Sequence, residues 1–320
     1  VLARAHQAQA LWSQKPLAER LAPLAKLRAR LAADPNPLGE VVCREIGKTR
    51  FEAIGGEVMS VADTCAFLMD RAASVLAPRR EMLNGLMPFA GEAVVRHLPW
   101  GVVAIISPWN YPLFLCAAPA LHALVAGNAV VLKGSPRTAG TVRVFGEWLY
   151  AAGIPQELAP VIDSSDDAGR ALVASPRVNR IVFTGGSRTG RAVLTAAAQN
   201  LTPATVELSG FDAVFILRDA DLQLAAAGVT FGLRLNAGRT CICPRRVFVE
   251  EAVSAEFITR LKQRLSTHKL LEPMDPLTLK EADALAARLK EVPGAESLNN
   301  RQPGDATSAL IDALDLVPLV

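Results

Sequence analysis

The first long apolar pattern in the chain lies at residues 16–33, PLAERLAPLAKLRARLAA, where Leu17, Leu21, Leu24, Leu27 and Leu31 recur every three or four residues. That spacing sets all five on one side of an α-helix, so the stretch predicts an amphipathic helix with a single buried stripe. A second helical run covers roughly 51–76. From residue 101 the pattern changes. GVVAII at 101–106 and AVVLKG at 129–134 are apolar runs of strand length, with the helix-length run LFLCAAPALHALVAG between them. A helix from about Thr138 to Ala152, a strand at LAPVID, a short helix near 166–174 and a strand RIVFTG at 180–185 continue the series. A helix over 188–199 and the strands ATVELSG and AVFIL follow. After residue 220 come a helix, a strand RRVFVEE and a helix over 252–265, then weaker patterning and a loop-like stretch at 291–308. Strands that alternate with helices build a mostly parallel sheet, and strands that read as continuous apolar runs are covered on both faces, so the pattern predicts an α/β fold. A change of domain is expected near 208–213.

Length and composition narrow this picture. A chain of 320 residues can hold two domains and a sizeable core, and 51% hydrophobic with 20% charged residues is an ordinary globular balance. The net charge is only +3, and the arginines are spread along the chain with no basic block, which argues against nucleic acid as a partner. Leu98 to Leu132 carries no charge beyond what His122 can take up, and is long enough to span a membrane. Pro108, Pro112 and Pro119, with Asn110 and Asn128, cut it into shorter pieces, so a buried strand–helix–strand unit is expected and no membrane segment. The opening VLARAHQAQA has no apolar leader core, and five cysteines in no regular framework fit free thiols in a reducing compartment, so a cytoplasmic location is expected. The chain also lacks a starting Met, as a trimmed or partial product would.

Several places can carry chemistry. In FTGGSRTG, 183–190, a strand ends in glycines and a helix begins, which aims backbone N–H groups and the helix dipole at one spot. Gly185 and Gly186 permit close backbone approach, and Ser187 either caps the helix or offers its hydroxyl. The motif is a phosphate cradle or a plain turn. It is not the G-x-G-x-x-G fingerprint. In SPWNYP, 107–112, prolines stiffen the loop around Asn110, whose carboxamide either donates to an oxyanion or caps the next helix. Glu207 ends a strand where α/β sheets place their ligand crevice, or is a solvated edge carboxylate. Lys133 ends another strand and can pair with a phosphate or ribose, or lie on the surface.

The stretch NAGRTCICP at 236–244 holds Cys241 and Cys243. A metal clip needs more ligands than are near, since His6, His97, His122 and His268 are scattered, so no metal site is expected. A disulfide between residues two apart has poor geometry. Two buried thiols or a nucleophile remain, and with no histidine close in sequence, Glu207 is the candidate base.

Taken in order, a rigid Asn, a lysine strand, a glycine turn, a Glu strand and a Cys loop resemble the aldehyde dehydrogenase superfamily. The residues that carry the likeness are Pro108-Trp109-Asn110-Tyr111-Pro112, Phe183-Thr184-Gly185-Gly186 with Gly190, Glu207-Leu208-Ser209-Gly210, and Asn236-Ala237-Gly238-Arg239-Thr240-Cys241. The likeness runs from about residue 1 to 250. It implies a Rossmann-like parallel sheet with helices on both faces, a dinucleotide-binding domain over 1–208 that includes the N-terminal helices, and a second, incomplete α/β catalytic domain over 209–320. It implies oxidation of a small-molecule aldehyde to a carboxylic acid with NAD or NADP. In that scheme Cys241 is the nucleophile and Cys243 a bystander, Asn110 and the Cys241 N–H hold the oxyanion, and Glu207 activates water. Lys133, Ser135, Trp109, Gly185, Gly186, Ser187 and Gly190 are then expected around the cofactor. A homo-oligomer is expected of the full-length protein.

This chain departs from the family in three respects. Where the family often has KPSE it reads Lys133-Gly134-Ser135-Pro136, which removes a carboxylate that commonly binds the adenine ribose. With Arg137 adjacent, we expect NADP to be tolerated. Arg239 replaces the usual Gln, two residues before Cys241, and lowers the thiol pKa if it turns inward. Finally, the chain stops before any E-E-x-F-G-P motif, and an N-terminal arm and a C-terminal tail strand are not seen. This suits either part of a longer protein or a shortened relative that has become a non-catalytic nucleotide-binding or scaffold protein.

Overall fold

The computed structural model describes residues 1–82, 92–210, 212–267 and 315–319. The chain forms two compact units, Val1–Leu208 and Ser209–Val320. The loop-like stretch expected at 291–308 lies outside the described residues.

The first unit opens with five helices: α1 (Leu2–Ser13), α2 (Leu17–Ala33), α3 (Asn36–Ile46), α4 (Arg50–Ala53) and α5 (Met59–Leu76). The leucine stripe read at 16–33 is α2, with Leu24, Leu27 and Leu31 buried. The helical run read at 51–76 is α4 and α5 joined by a π-helical turn, Ile54–Val58. A short antiparallel pair follows, β1 (Arg79–Met82) with β2 (Glu92–Val95). The alternating part then runs β3 (Val102–Ile106), α6 (Phe114–Val125), β4 (Ala129–Lys133), α7 (Ala139–Ala152), α8 (Asp166–Val173), β5 (Arg180–Gly185), α9 (Ser187–Gln199) and β6 (Ala204–Leu208). Its four strands are all parallel, in the order β4-β3-β5-β6. Every residue of β3 and β4 is buried, which requires cover on both faces, as their unbroken apolar runs predict. The uncharged stretch 98–132 is therefore strand, loop, helix and strand inside a core.

One expected strand differs. LAPVID makes a single bridge, Val161 to Leu132, rather than a ladder. It lies along β4 and bonds to it through Leu158, Pro160 and Ile162. Pro160 has no N–H to offer at the position where the ladder would need its next donor.

The second unit contains β7 (Asp212–Ile216), α10 (Leu222–Arg234), β8 (Pro244–Glu250), α11 (Glu251–Thr267) and β9 (Asp315–Leu319), with a parallel sheet of order β7-β8-β9. Asp221 caps α10 by accepting from the N–H groups of Gln223 and Leu224. Ile216, Val247 and Val249 on the strands, Leu233 on α10, and Phe257 and Leu261 on α11 make a separate apolar core.

Candidate functional site

Because the four strands β3–β6 of the first unit run the same way, the candidate side chains of that unit gather at one edge. Ile106 is level with Lys133 on one side and Phe183 on the other, and Thr184 is level with Glu207. The Trp109–Asn110 loop after β3, Lys133 ending β4, the Gly185–Gly186 turn after β5 and Glu207 near the end of β6 therefore share the carboxyl ends of the strands. Open α/β sheets take their ligands at that edge.

Asn110 does not cap α6. The N-cap position there is Leu113, with no side-chain cap of its own. The Asn110 Oδ1 accepts from the Tyr111 N–H at 3.1 Å, which turns the carboxamide nitrogen, its donor end, to the opposite side. The first amides of α6 go to a residue that sequence reasoning passed over: Glu57 Oε2 accepts from Leu113 at 2.8 Å and from Phe114 at 3.2 Å. Glu57 also pairs with Lys48 at 2.6 Å, both side chains being fully buried. Burial pushes the Glu57 carboxyl above its usual range, and Lys48 and the two amides pull it back. A signal for Glu57 was present, since it stands four residues before Val61 on the stripe that continues through Cys65, Leu68 and Ala72.

The start of α7 is closed in the same manner. Glu45 accepts from Gly140 N–H at 2.8 Å, Thr141 N–H at 2.9 Å and Thr141 Oγ1 at 2.6 Å. Ahead of it, the Ser135 hydroxyl accepts from the Arg137 N–H and so caps the 3-10 turn Pro136–Thr138. The Arg137 guanidinium stacks over the Trp109 ring at 4.6 Å.

Lys133 is not a surface lysine, being only 5% exposed. Desolvation lowers its pKa, opposed by Asp166 and then Asp163. Glu207 is exposed at its strand end. At α9 the N-cap is Gly186, which makes no side-chain cap, so Ser187 is the first helical residue and does not cap. The glycines around this turn differ in an informative way. A Cβ on Gly190 would lie 2.5 Å from Leu208 Cδ2, whereas one on Gly186 would meet nothing within 4 Å. Packing explains the first glycine. The second leaves open space beside backbone amides, where an anion can approach.

In the second unit the cysteine loop follows α10. Asn236, Ala237 and Gly238 take φ values of 50°, 53° and 70°, three left-handed residues in a row, and all three are buried. For alanine that conformation costs about 1–2 kcal/mol. Local bonds hold it. Arg239 Nε donates to Asn236 O at 3.0 Å, and Arg245 Nη2 donates to Gly238 O at 2.8 Å. Arg239 thus braces its own loop. A Cβ on Gly210 would lie 3.1 Å from the Cys241 carbonyl oxygen, so the chain after β6 approaches this loop closely. The two cysteines part company here: Cys241 is exposed and Cys243 is buried in the core of this unit. Desolvation raises the Cys243 thiol pKa, chiefly over the opposing pull of Arg245. Among the described residues, no group of three or more His, Cys, Asp or Glu is placed to hold a metal ion, and no helix is long and apolar enough to cross a membrane.

A profile described as the aldehyde dehydrogenase family matches residues 1–292. The chain belongs to the aldehyde dehydrogenase family. The match runs well past residue 250, where the likeness was expected to fade. Among aldehyde dehydrogenase relatives, the 4,4'-diapolycopene aldehyde oxidase of Methylomonas sp is 36% identical over 269 residues, 84% of this chain and 51% of that protein. A putative succinate-semialdehyde dehydrogenase [NADP(+)] of Mycolicibacterium smegmatis is 34% identical over 274 residues, 85% of this chain and 52% of that one. The crystal structure of NADP-dependent glyceraldehyde-3-phosphate dehydrogenase from Bacillus halodurans, complexed with NADP, superposes with a TM-score of 0.87 at 27% identity. It covers all of this chain, and 72% of that chain is covered in return. The chain spans about half the length of the curated relatives it matches.

Proposed function

We propose that this protein takes part in NAD(P)-dependent oxidation of an aldehyde to a carboxylic acid, with Cys241 as the nucleophile. The observation that carries the reading is the cysteine loop: a strained, buried backbone that ends on an exposed cysteine, in a chain of this family. The Cys241 thiolate adds to the aldehyde carbon and forms a thiohemiacetal. Charge then develops on the former carbonyl oxygen, and the Asn110 Nδ2 hydrogens with the Cys241 N–H are the donors proposed for it. A preorganised donor of this kind lowers a barrier by about 3–4 kcal/mol. The chemistry the cofactor supplies when bound is acceptance of a hydride, which leaves a thioester on Cys241. Glu207, a carboxylate exposed to water at a strand end, takes a proton from the water that hydrolyses this thioester.

For the cofactor, the open start of α9 at Gly185, Gly186 and Ser187 would hold the pyrophosphate, and Lys133 with Ser135 would face the adenosine ribose. Arg137, held against Trp109, supports acceptance of the 2′-phosphate of NADP, in line with the relatives whose names specify it. Arg137→Ala should weaken NADP binding about tenfold and leave NAD binding unchanged, a difference of about 1.4 kcal/mol. The test of the main reading is formation of reduced cofactor with a panel of aliphatic and aromatic aldehydes. Cys241→Ala should abolish it and Cys243→Ala should not. Activity that survives the first change would remove Cys241 from its role. NADP binding with no turnover on any aldehyde would favour a non-catalytic nucleotide-binding relative instead.

A further inference from the structure

The buried pair Lys48–Glu57 has no part in the chemistry above, yet it touches the Asn110 loop at three points. Glu57 Oε2 takes the amides of Leu113 and Phe114, directly after the loop. Lys48 Nζ lies 3.4 Å from the centroid of the Tyr111 ring, inside the loop. The N–H of that same Tyr111 holds the Asn110 Oδ1. Both charges are completely withdrawn from water, and 2.6 Å separates their nearest atoms. A buried ion pair adds little to stability compared with apolar residues of similar size, so its retention asks for another reason. Its location supplies one. The π-helical turn Ile54–Val58 carries Glu57 inward, and such turns often mark functional sites.

We infer that Lys48 and Glu57 form a positioning unit that fixes the Pro108–Phe114 segment, and through Tyr111 sets the orientation of the Asn110 carboxamide. Glu57 ties the far end of the loop, at the start of α6, to the π-helical turn, and Lys48 lies against the ring whose backbone orients Asn110. Neither residue touches substrate. The inference rests on the role proposed for Asn110, because a carboxamide has to be held within a fraction of an ångström to act as an oxyanion donor.

The test uses Glu57→Gln, which keeps an acceptor but loses the charge. Because Glu57→Gln leaves the buried Lys48 charge facing a neutral group, the paired variant K48M/E57Q, which removes both charges, serves as a second arm. Two measurements are needed: amide hydrogen exchange at Leu113 and Phe114, and kcat in the presence and absence of Asn110→Ala. We expect faster exchange at both amides and a kcat about 10–100-fold lower at little change in cofactor KM, with the kcat effect gone in the Asn110→Ala background. An equal loss of kcat with and without Asn110 would reduce the pair to a structural element and overturn the inference. So would exchange that stays unchanged in both variants. A wild-type protein that oxidises no aldehyde would instead overturn the role proposed for Asn110, while the exchange result would still report on the clamp.

Discussion

The starts of α6 and α7 and the start of α9 are made from the same parts, a parallel strand followed by a turn at one edge of one sheet, and they finish differently. At α6 the first amides are taken by Glu57, and at α7 by Glu45, both carboxylates delivered from the N-terminal helices. At α9 the N-cap is a glycine with open space beside it. Each helix start carries partial positive charge that favours an anion. Two of the three have been given an anion by the chain itself. The start of α9 has no N-cap side-chain bond of its own, which is why the cofactor pyrophosphate is proposed to lie there.

Three experiments can break or sharpen this contrast. The largest effect is expected from Glu57→Ala, which empties the closed start of α6 and removes the carboxylate that faces buried Lys48. A loss of about 3–5 kcal/mol in denaturant-induced unfolding is expected. A loss below about 1 kcal/mol would mean that α6 does not depend on its internal anion. Next is Gly186→Asp, which gives α9 a carboxylate of its own. Stability should rise by a few tenths of a kcal/mol, about what separates Asp from Gly at an N-cap. NADP affinity, followed by fluorescence titration, should fall by about tenfold or more, about 1.4 kcal/mol. Unchanged affinity would move the phosphate elsewhere. The smallest effect belongs to Glu45→Gln, which retains an acceptor for the α7 amides. It should cost about 1 kcal/mol of stability and leave NADP binding as it was. A marked loss of binding would place Glu45 in the site rather than behind it.

The alternating core was legible because each element there advertises its own period. GVVAII and AVVLKG are strands buried on both faces, and no polar position interrupts them. The N-terminal layer was harder to read. α1 buries only Ala5 and Trp12, too sparse for a stripe, and it is tied down by Trp12 Nε1 donating to Leu124 O, 112 positions away. α3 begins Asn36-Pro37-Leu38-Gly39, residues that read as a turn, although Pro37 falls in the first helical turn, where its missing N–H is harmless. For the site, the order of the motifs pointed to Asn110, Lys133, Gly186 and Cys241. The acids that close α6 and α7 were not found, because the amides they accept from are 56 or more residues away, and even the place of Glu57 on the buried stripe that runs on into α5 does not name the amides it meets. The fate of each cysteine also needed coordinates, since an alternation of outward and inward thiols over three residues leaves no trace in composition.

Within the left-handed run, Ala237 carries a methyl group that glycine would dispense with. Its removal should make the folded chain sturdier, because the backbone at φ 53° would no longer be uphill. It would equally widen the range of shapes open to the segment that ends at Cys241. Selection for heat tolerance and selection for turnover would thus pull this single position in opposite directions, and a screen that rewards only the first should find Ala237→Gly early.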